Sequence, residues 1–429
     1  TVLLCALLLS VVPVSVAAEK SVYKVNSYGE LTKYRGSSNV TIRSNTSAIS
    51  IYAFDKVKTT RFQVDSGNAY YKAIDGVLYN KAGTLLVKCP TERSGSFTIP
   101  STVTKISAYA FDGCKKLTKI TMPSNVKSLG YGSFYKCSAL ESVTLSSNLV
   151  SLPYGTFKNC SSLKTVKLPK DLVSIGEEAF SDCSSLSSIS LPKKLESIGN
   201  EAFNGCEELT QLKLPTSITS LGNYVFANCS SLKTVTYTNE LDYIPAGAFY
   251  ACEKLTTVTN LQSVERIGSD AFSECWKLSS ITFPSCLISI GSDAFEFCIS
   301  LGTVKKKKKV EKISSGAFKA AATRFQVASK NKFYSSKNGV LYNKKGTRLI
   351  QVPTNATGTL HIPKEVKKIN RNSLRYCEIK KLVFAKGITT LDKYIFQDMN
   401  RLQTIVLPET LSELKYDSVS PAYLNCNHI

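Results

Sequence analysis

Histidine is almost missing from this chain: 429 residues contain two, His361 and His428. That leaves little room for histidine-based metal sites or acid–base catalysis. His361 sits in the strand-like run Leu360-His361-Ile362-Pro363, His428 is penultimate, and neither has a motif around it. Acidic residues are scarce beside basic ones, 32 against 54, for a net charge of +22. The excess favours acidic partners or surfaces and is silent about fold. The carboxylates are scattered among turns, and no catalytic pair of acids, nucleophile with its base, phosphate loop or metal-ligand spacing stands out. No enzyme and no cofactor are therefore expected. Past the first eighteen residues no apolar run approaches the roughly 20 residues needed to span a membrane. What remains, 43% hydrophobic and 20% charged residues, is the make-up of a folded protein and rules out disorder throughout. A chain of this length exceeds one ordinary core unless it is a repeat or a barrel.

Residues 1–18 read TVLLCALLLSVVPVSVAA. The apolar run Val2 to Leu9 and the small residues Val16-Ala17-Ala18 predict a secretory signal that lacks its start, cut after Ala18. Pro13 and Ser15 shorten the run too far for a membrane anchor. Cys5 lies early in the run and leaves with the signal. Near the other end, Leu407-Pro408-Glu409-Thr410 resembles a wall-sorting motif, but Leu411 stands where Gly is needed. Cys426-Asn427-His428-Ile429 lacks the aliphatic pair of a lipidation motif.

A repeat dominates the rest. Phenylalanine recurs at 111, 134, 157, 180, 203, 226, 249, 272, 295 and 318, always 23 residues apart. Leucine from 117 to 301, cysteine from 114 to 298, and Ile or Leu from 129 to 313 keep the same step. Within one unit, Leu163 to Leu168 partly alternates and is rich in β-branched residues, which predicts a short strand. Pro169 has no N–H for a ladder and ends it. Leu172 and Ile175 point inward on a second extended piece. Gly176 shares its register with Pro153 and Pro245, so the turn there does not require positive φ. Ala179, Phe180 and Cys183 fall on one side of an expected helical turn. One unit cannot bury these side chains alone; coils stacked at about 4.8 Å can.

Two irregular segments interrupt the array. Arg61-Phe62-Gln63-Val64 recurs as Arg324-Phe325-Gln326-Val327, and Gly76 to Lys81 recurs as Gly339 to Lys344, both at an offset of 263. The pairs Asp75-Gly76, Asn338-Gly339, Ala82-Gly83 and Lys345-Gly346 are hairpin signals. Each insertion is expected to project from the solenoid as a β-hairpin module.

The patterns LxxIxLP and IGxxAF, with Cys three residues after Phe, resemble the BspA-like leucine-rich repeats of the 23-residue class over roughly residues 48–412. The paired insertions also look like that family. The expected fold class is a β-rich (α/β) leucine-rich repeat solenoid, with short parallel strands and short helical turns in each coil and two β-hairpin insertions. The expected organisation is a signal at 1–18, an N-terminal segment with a degenerate repeat at 19–57, insertions at 58–95 and 321–358, regular repeats at 96–320, C-terminal repeats at 359–412 and a tail at 413–429. The resemblance implies a secreted or cell-surface protein of bacteria or parasitic protists. It implies adhesion, including binding of host matrix proteins such as fibronectin.

In the cysteine column, Cβ atoms of stacked residues point the same way and stay near 5 Å, against about 3.8 Å in a disulfide. Parallel single cysteines also do not converge on zinc. A buried thiol column is the expectation, with disulfides the alternative. Cys89, Cys286 and Cys426 lie outside it, and Val352 stands where the first insertion has Cys89. Outward strand positions are mostly Ser, Thr and Lys; Lys164, Thr165, Lys167, Ser188 and Thr257 represent a possible partner-binding face. Its ordinary reading is solubility and β-propensity. Lys305, Lys306, Lys307, Lys308 and Lys309 form a run at a strand end and turn, either simply solvated or a contact for sulfated glycans and other polyanions. Asn39, Asn45, Asn159, Asn228 and Asn355 are N-glycosylation sequons. The expected partner is an extracellular protein or glycan, and no nucleic-acid motif is present. The alternatives are a charge-driven polyanion binder and a passive coat or spacer.

Overall fold

The computed structural model describes residues 22–411 apart from 307, 308 and 322, together with 413–415. The signal expected at 1–18 and most of the tail lie outside the described residues. The chain winds as a stack of coils whose pairing is parallel and steps by one repeat. Thr165–Lys167 pairs with Ser142–Thr144 before it and Ser188–Ile189 after it. The inner strand Ser174–Ile175 likewise pairs with Ser151–Leu152 and Ser197–Ile198. Because the register equals the repeat, identical residues meet. Phe111 to Phe318 form one column, with ring centroids 5.0–5.8 Å apart and planes within 5–21° of parallel. Leu163, Cys183 and Leu186 are fully buried beside it.

The expected helical turn is instead a ladder of tight turns. N–H groups alternate in direction. Thr156, Lys158 and Cys160 donate three residues back, to Pro153, Gly155 and Phe157. Gly155, Phe157 and Asn159 donate to Glu177, Ala179 and Ser181 of the next coil, at 2.9, 2.7 and 2.8 Å. Left-handed residues flanking each Phe, such as Gly155 at φ 58° and Asn159 at φ 62°, produce the alternation. A helix would spend every N–H on its own segment and leave the coils unlinked here. Among the described residues, the helical segment with printed bounds is the 3-10 turn Lys393–Phe396. Gly176 lies outside the left-handed region, as its proline-sharing register predicts. Glycine in that register instead answers close approach: a Cβ on Gly199 would sit 2.4 Å from the backbone nitrogen of Glu177.

The two insertions do not project. Each is a three-stranded antiparallel meander inside the stack. The first runs Tyr71–Ile74, Val77–Asn80 and Leu85–Lys88, and its last strand pairs in parallel with Lys105–Ile106. The second runs Tyr334–Lys337, Val340–Asn343 and Arg348–Gln351, and continues onto Lys368–Ile369. The sequence Val-Leu-Tyr is apolar on both faces of the central strand, so neither face can meet water. Leu78 enters an N-terminal core with Leu31, Val40 and Phe62, while Val77 and Tyr79 enter the main core. In the second module Leu341 enters the main core, and Val340 and Tyr342 enter a C-terminal core with Leu374 and Leu382. The modules are partitions between three apolar cores. Among the described residues no helix is long and apolar enough to cross a membrane.

Candidate binding surfaces

Alternation within the strand Thr165–Lys167 sends Val166 inward and leaves Thr165 and Lys167 exposed, and Lys164, Ser188 and Thr257 are exposed too. Thr165 and Ser188 are direct ladder neighbours. Thr257 belongs to a separate three-stranded sheet with Gln211–Lys213 and Thr234–Thr236. Beside Thr165 and Ser188 lies a groove of about 750 Å³ lined by Lys167, Lys170, Lys193, Lys194, Asp171 and apolar Leu191. Lys194 bonds Asp171 at 2.6 Å and holds that carboxyl below its usual range. Three lysines remain for a partner. Lys164 stands outside the groove, paired with Glu141 at 3.1 Å. Both ends of that pair are exposed, so it contributes little. The sequence singled out Thr165, Lys167 and Ser188; Lys170, Lys193 and Leu191 in the same groove come from the turn after each strand.

Of the lysine run, Lys305 and Lys306 lie in the strand Val304–Lys306, which pairs in parallel with Phe325–Val327. Lys305 and Lys309 are exposed, and Lys307 and Lys308 lie outside the described residues. Asn39, Asn45, Asn228 and Asn355 are exposed and Asn159 is half-buried. Asn159 and Asn228 occupy the left-handed position two residues after Phe. The Asn228 amide donates to Asn204 Oδ1 at 2.8 Å.

The cysteine column is a column of thiols. Cys183, Cys206 and Cys229 donate S–H to the carbonyls of Phe157, Phe180 and Phe203 at 3.2, 3.3 and 3.3 Å. The described cysteines are free. Burial pushes the Cys229 and Cys377 thiols up to about 12, so the thiolate needed for attack or metal binding is suppressed.

Two clusters were not read from the sequence. Asp270, Asp293 and Glu296 bring carboxylate oxygens within 4.8 Å of one another. Burial raises the Asp270 and Asp293 carboxyls, and Lys319 already pairs with Glu296 and supplies the positive charge. The turn ladder also carries tyrosines: Tyr109 lies 6.2 Å from both Tyr52 and Tyr135, and Tyr131 nearby is 63% exposed. The 23-residue register was the available signal, since it stacks Asp270 on Asp293.

The BspA type leucine rich repeat region matches in six copies, over overlapping spans from residue 91 to residue 427. The chain belongs to the BspA-type leucine-rich repeat family. Among solved structures, this BspA-type chain is similar to a leucine-rich repeat protein from Bacteroides ovatus, at 22% identity and a TM-score of 0.59, covering 80% of this chain and 88% of that one. That likeness bears on fold alone. A leucine rich cell surface protein from Faecalibacterium prausnitzii matches at 20% identity and a TM-score of 0.39, over 94% of this chain and 78% of its own. The pneumococcal vaccine antigen PcpA matches at 20% identity and a TM-score of 0.30, over 80% and 68%. No curated protein matches the chain.

Proposed function

We propose that this BspA-type protein is a secreted or cell-surface adhesion module that holds a protein partner on the strand face of its solenoid. The observation that carries the reading is the groove beside Thr165 and Ser188, where Lys167, Lys170 and Lys193 surround an apolar wall at Leu191. Such a site suits an acidic, partly apolar protein surface, because apolar contact supplies affinity that salt does not remove. Export is supported by the composition of residues 1–18, and protein binding by membership of a repeat family that generally serves as an interaction scaffold. A host matrix protein such as fibronectin is the partner class to test first.

The second reading, charge-driven binding of sulfated glycans or other polyanions, is favoured by the net charge of +22 and by exposed Lys305 and Lys309. One experiment separates the two. The chain from residue 19 onward is titrated against immobilised fibronectin and heparin across a salt series. Adhesion predicts fibronectin binding that survives at about 0.5 M salt, where screening is strong. It also predicts a loss of about tenfold or more on joint Lys167→Glu and Lys193→Glu substitution. Binding to both that vanishes together with salt would leave polyanion binding. Binding to neither would remove the adhesion reading.

A further inference from the structure

The two modules share one register at the 263 offset from Arg61 and Arg324 to Cys114 and Cys377, and one rim is closed while the other is open. In the first, Arg93 crosses from the edge of Ser94–Thr98 to the hairpin turn. Its guanidinium bonds Asp75 Oδ2 at 2.5 Å and the Asp75 carbonyl at 2.8 Å, and lies 4.6 Å from the centre of the Phe97 ring. Next to it Lys116 bonds Glu92 at 2.5 Å. In the second module the equivalents of Arg93, Asp75 and Phe97 are Ala356, Asn338 and Leu360, and those of Glu92 and Lys116 are Asn355 and Glu378, the register slipping by one residue after Cys377. Both ion pairs are gone. A cleft of about 670 Å³ stands in their place, between the second module and the strand Thr357–Ile362.

The charged groups of the cleft are rearranged as well. Lys337 stands where the first module has Ile74, Arg324 repeats Arg61, and the acid of the hairpin turn has become Asn338. Glu365 is the one acidic residue in the lining. The remaining polar walls are Asn338, Asn355, Thr357, Thr359 and His361. Among the described residues none of these, nor Arg324 or Lys337, has a side-chain hydrogen bond or ion pair. Asn and Thr side chains both donate and accept, as sugar hydroxyls do. Arg and Lys supply donors for a carboxylate or sulfate. Leu360, Val340 and Pro363 give the apolar floor that a sugar ring needs.

We infer that this cleft binds a single acidic sugar residue, with its anion at Arg324 and Lys337 and its hydroxyls on the Asn and Thr side chains. The free groups are side chains at the cleft wall, which suits a hydroxyl-rich ligand better than an added peptide strand. The site is separate from the strand-face groove, so it stands or falls independently of the adhesion reading.

The test uses the chain from residue 19 onward, made in a host that does not glycosylate, so that Asn355 at the rim carries nothing. Binding of galacturonate, glucose 6-sulfate, glucose and tetraglutamate is measured by calorimetry and ligand-observed NMR. The expected result is binding of the two acidic sugars at about 1 mM or tighter. Glucose and the peptide are expected to bind at least about tenfold more weakly. Restoring the first module's closure with Ala356→Arg and Asn338→Asp abolishes binding while the melting temperature holds. Lys337→Ile weakens it about tenfold. Equal binding of glucose, preference for the peptide, absence of binding, or full binding by a folded double variant would each overturn the proposal.

Discussion

The two modules agree inside and differ at the rim. Val77-Leu78-Tyr79-Asn80 is repeated letter for letter as Val340-Leu341-Tyr342-Asn343. Each central strand divides two apolar cores. Each module opens on the same device: Asn68 Oδ1 accepts from the N–H groups of Tyr70 and Tyr71, and Asn331 Oδ1 accepts from those of Phe333 and Tyr334. The rim shares almost none of this identity. An interior position touches several neighbours at packing density and tolerates few replacements. A rim ion pair at the surface contributes little to folding, so it can be removed without unfolding the module. The rim is therefore where two copies of one module can acquire different roles.

The largest effects should fall equally on both copies. Tyr79→Ala and Tyr342→Ala each empty a core, at a cost on the order of 3–5 kcal/mol, the range for large aromatic truncations. Chemical denaturation followed by circular dichroism would measure both. A cost confined to one copy would mean that the modules are not equivalent partitions. Next come the buried asparagines. Asn68→Ala removes the acceptor for two backbone N–H groups, and the donor bonds to the Arg43 and Thr46 carbonyls at 2.7 and 3.0 Å. Leaving buried groups unpaired costs about 1–3 kcal/mol. Asn331→Ala should cost a similar amount, and Ser substitution should recover part of it in both.

The repeat period, the inner faces and the thiol column were legible because one 23-residue register governs all of them. The turn ladder was misread because Ala179, Phe180 and Cys183 share one side of a helix as well as one side of this ribbon. A partial signal sat two residues after Phe, where Gly113, Asn159, Asp182, Gly205 and Asn228 are types that enter the left-handed region cheaply, while Lys136, Ala251, Glu274, Phe297 and Ala320 take the same conformation and mask it. The modules were misplaced because Asp-Gly and Asn-Gly turns suggest exposed hairpins, while Val-Leu-Tyr, apolar at consecutive positions, excludes them. The cleft was present in the sequence at Ala356 and Asn338. It becomes visible only when Arg93 is seen to span the equivalent gap, and a side-chain crossing of that kind has no periodic signature. Glu92 and Lys116 show the same limit, since a contact across 24 positions is unmarked in either local run.

The smallest expected difference is in acid. The Arg93 hydrogen bond, aided by its charge, holds the Asp75 carboxyl below its usual range. A group with a lowered folded pKa adds stability above its unfolded pKa, about 3.9 for Asp, and loses it as pH falls through the lower folded value. Asp75 is 77% exposed, so solvent screening keeps the contribution small. The first module has this linkage at its hairpin turn and the second, with Asn338, has none there. The reporters are the amides of Phe62 and Phe325, which donate to the turn carbonyls of Gly76 and Gly339 at 2.8 and 3.0 Å. Below about pH 4 the protection factor of Phe62, corrected for intrinsic exchange, should fall relative to that of Phe325. Arg93→Ala should remove the difference, and so should Asp75→Asn. If Phe325 lost protection in step with Phe62, the acid response would belong to the whole stack, and the Arg93–Asp75 closure would carry none of it.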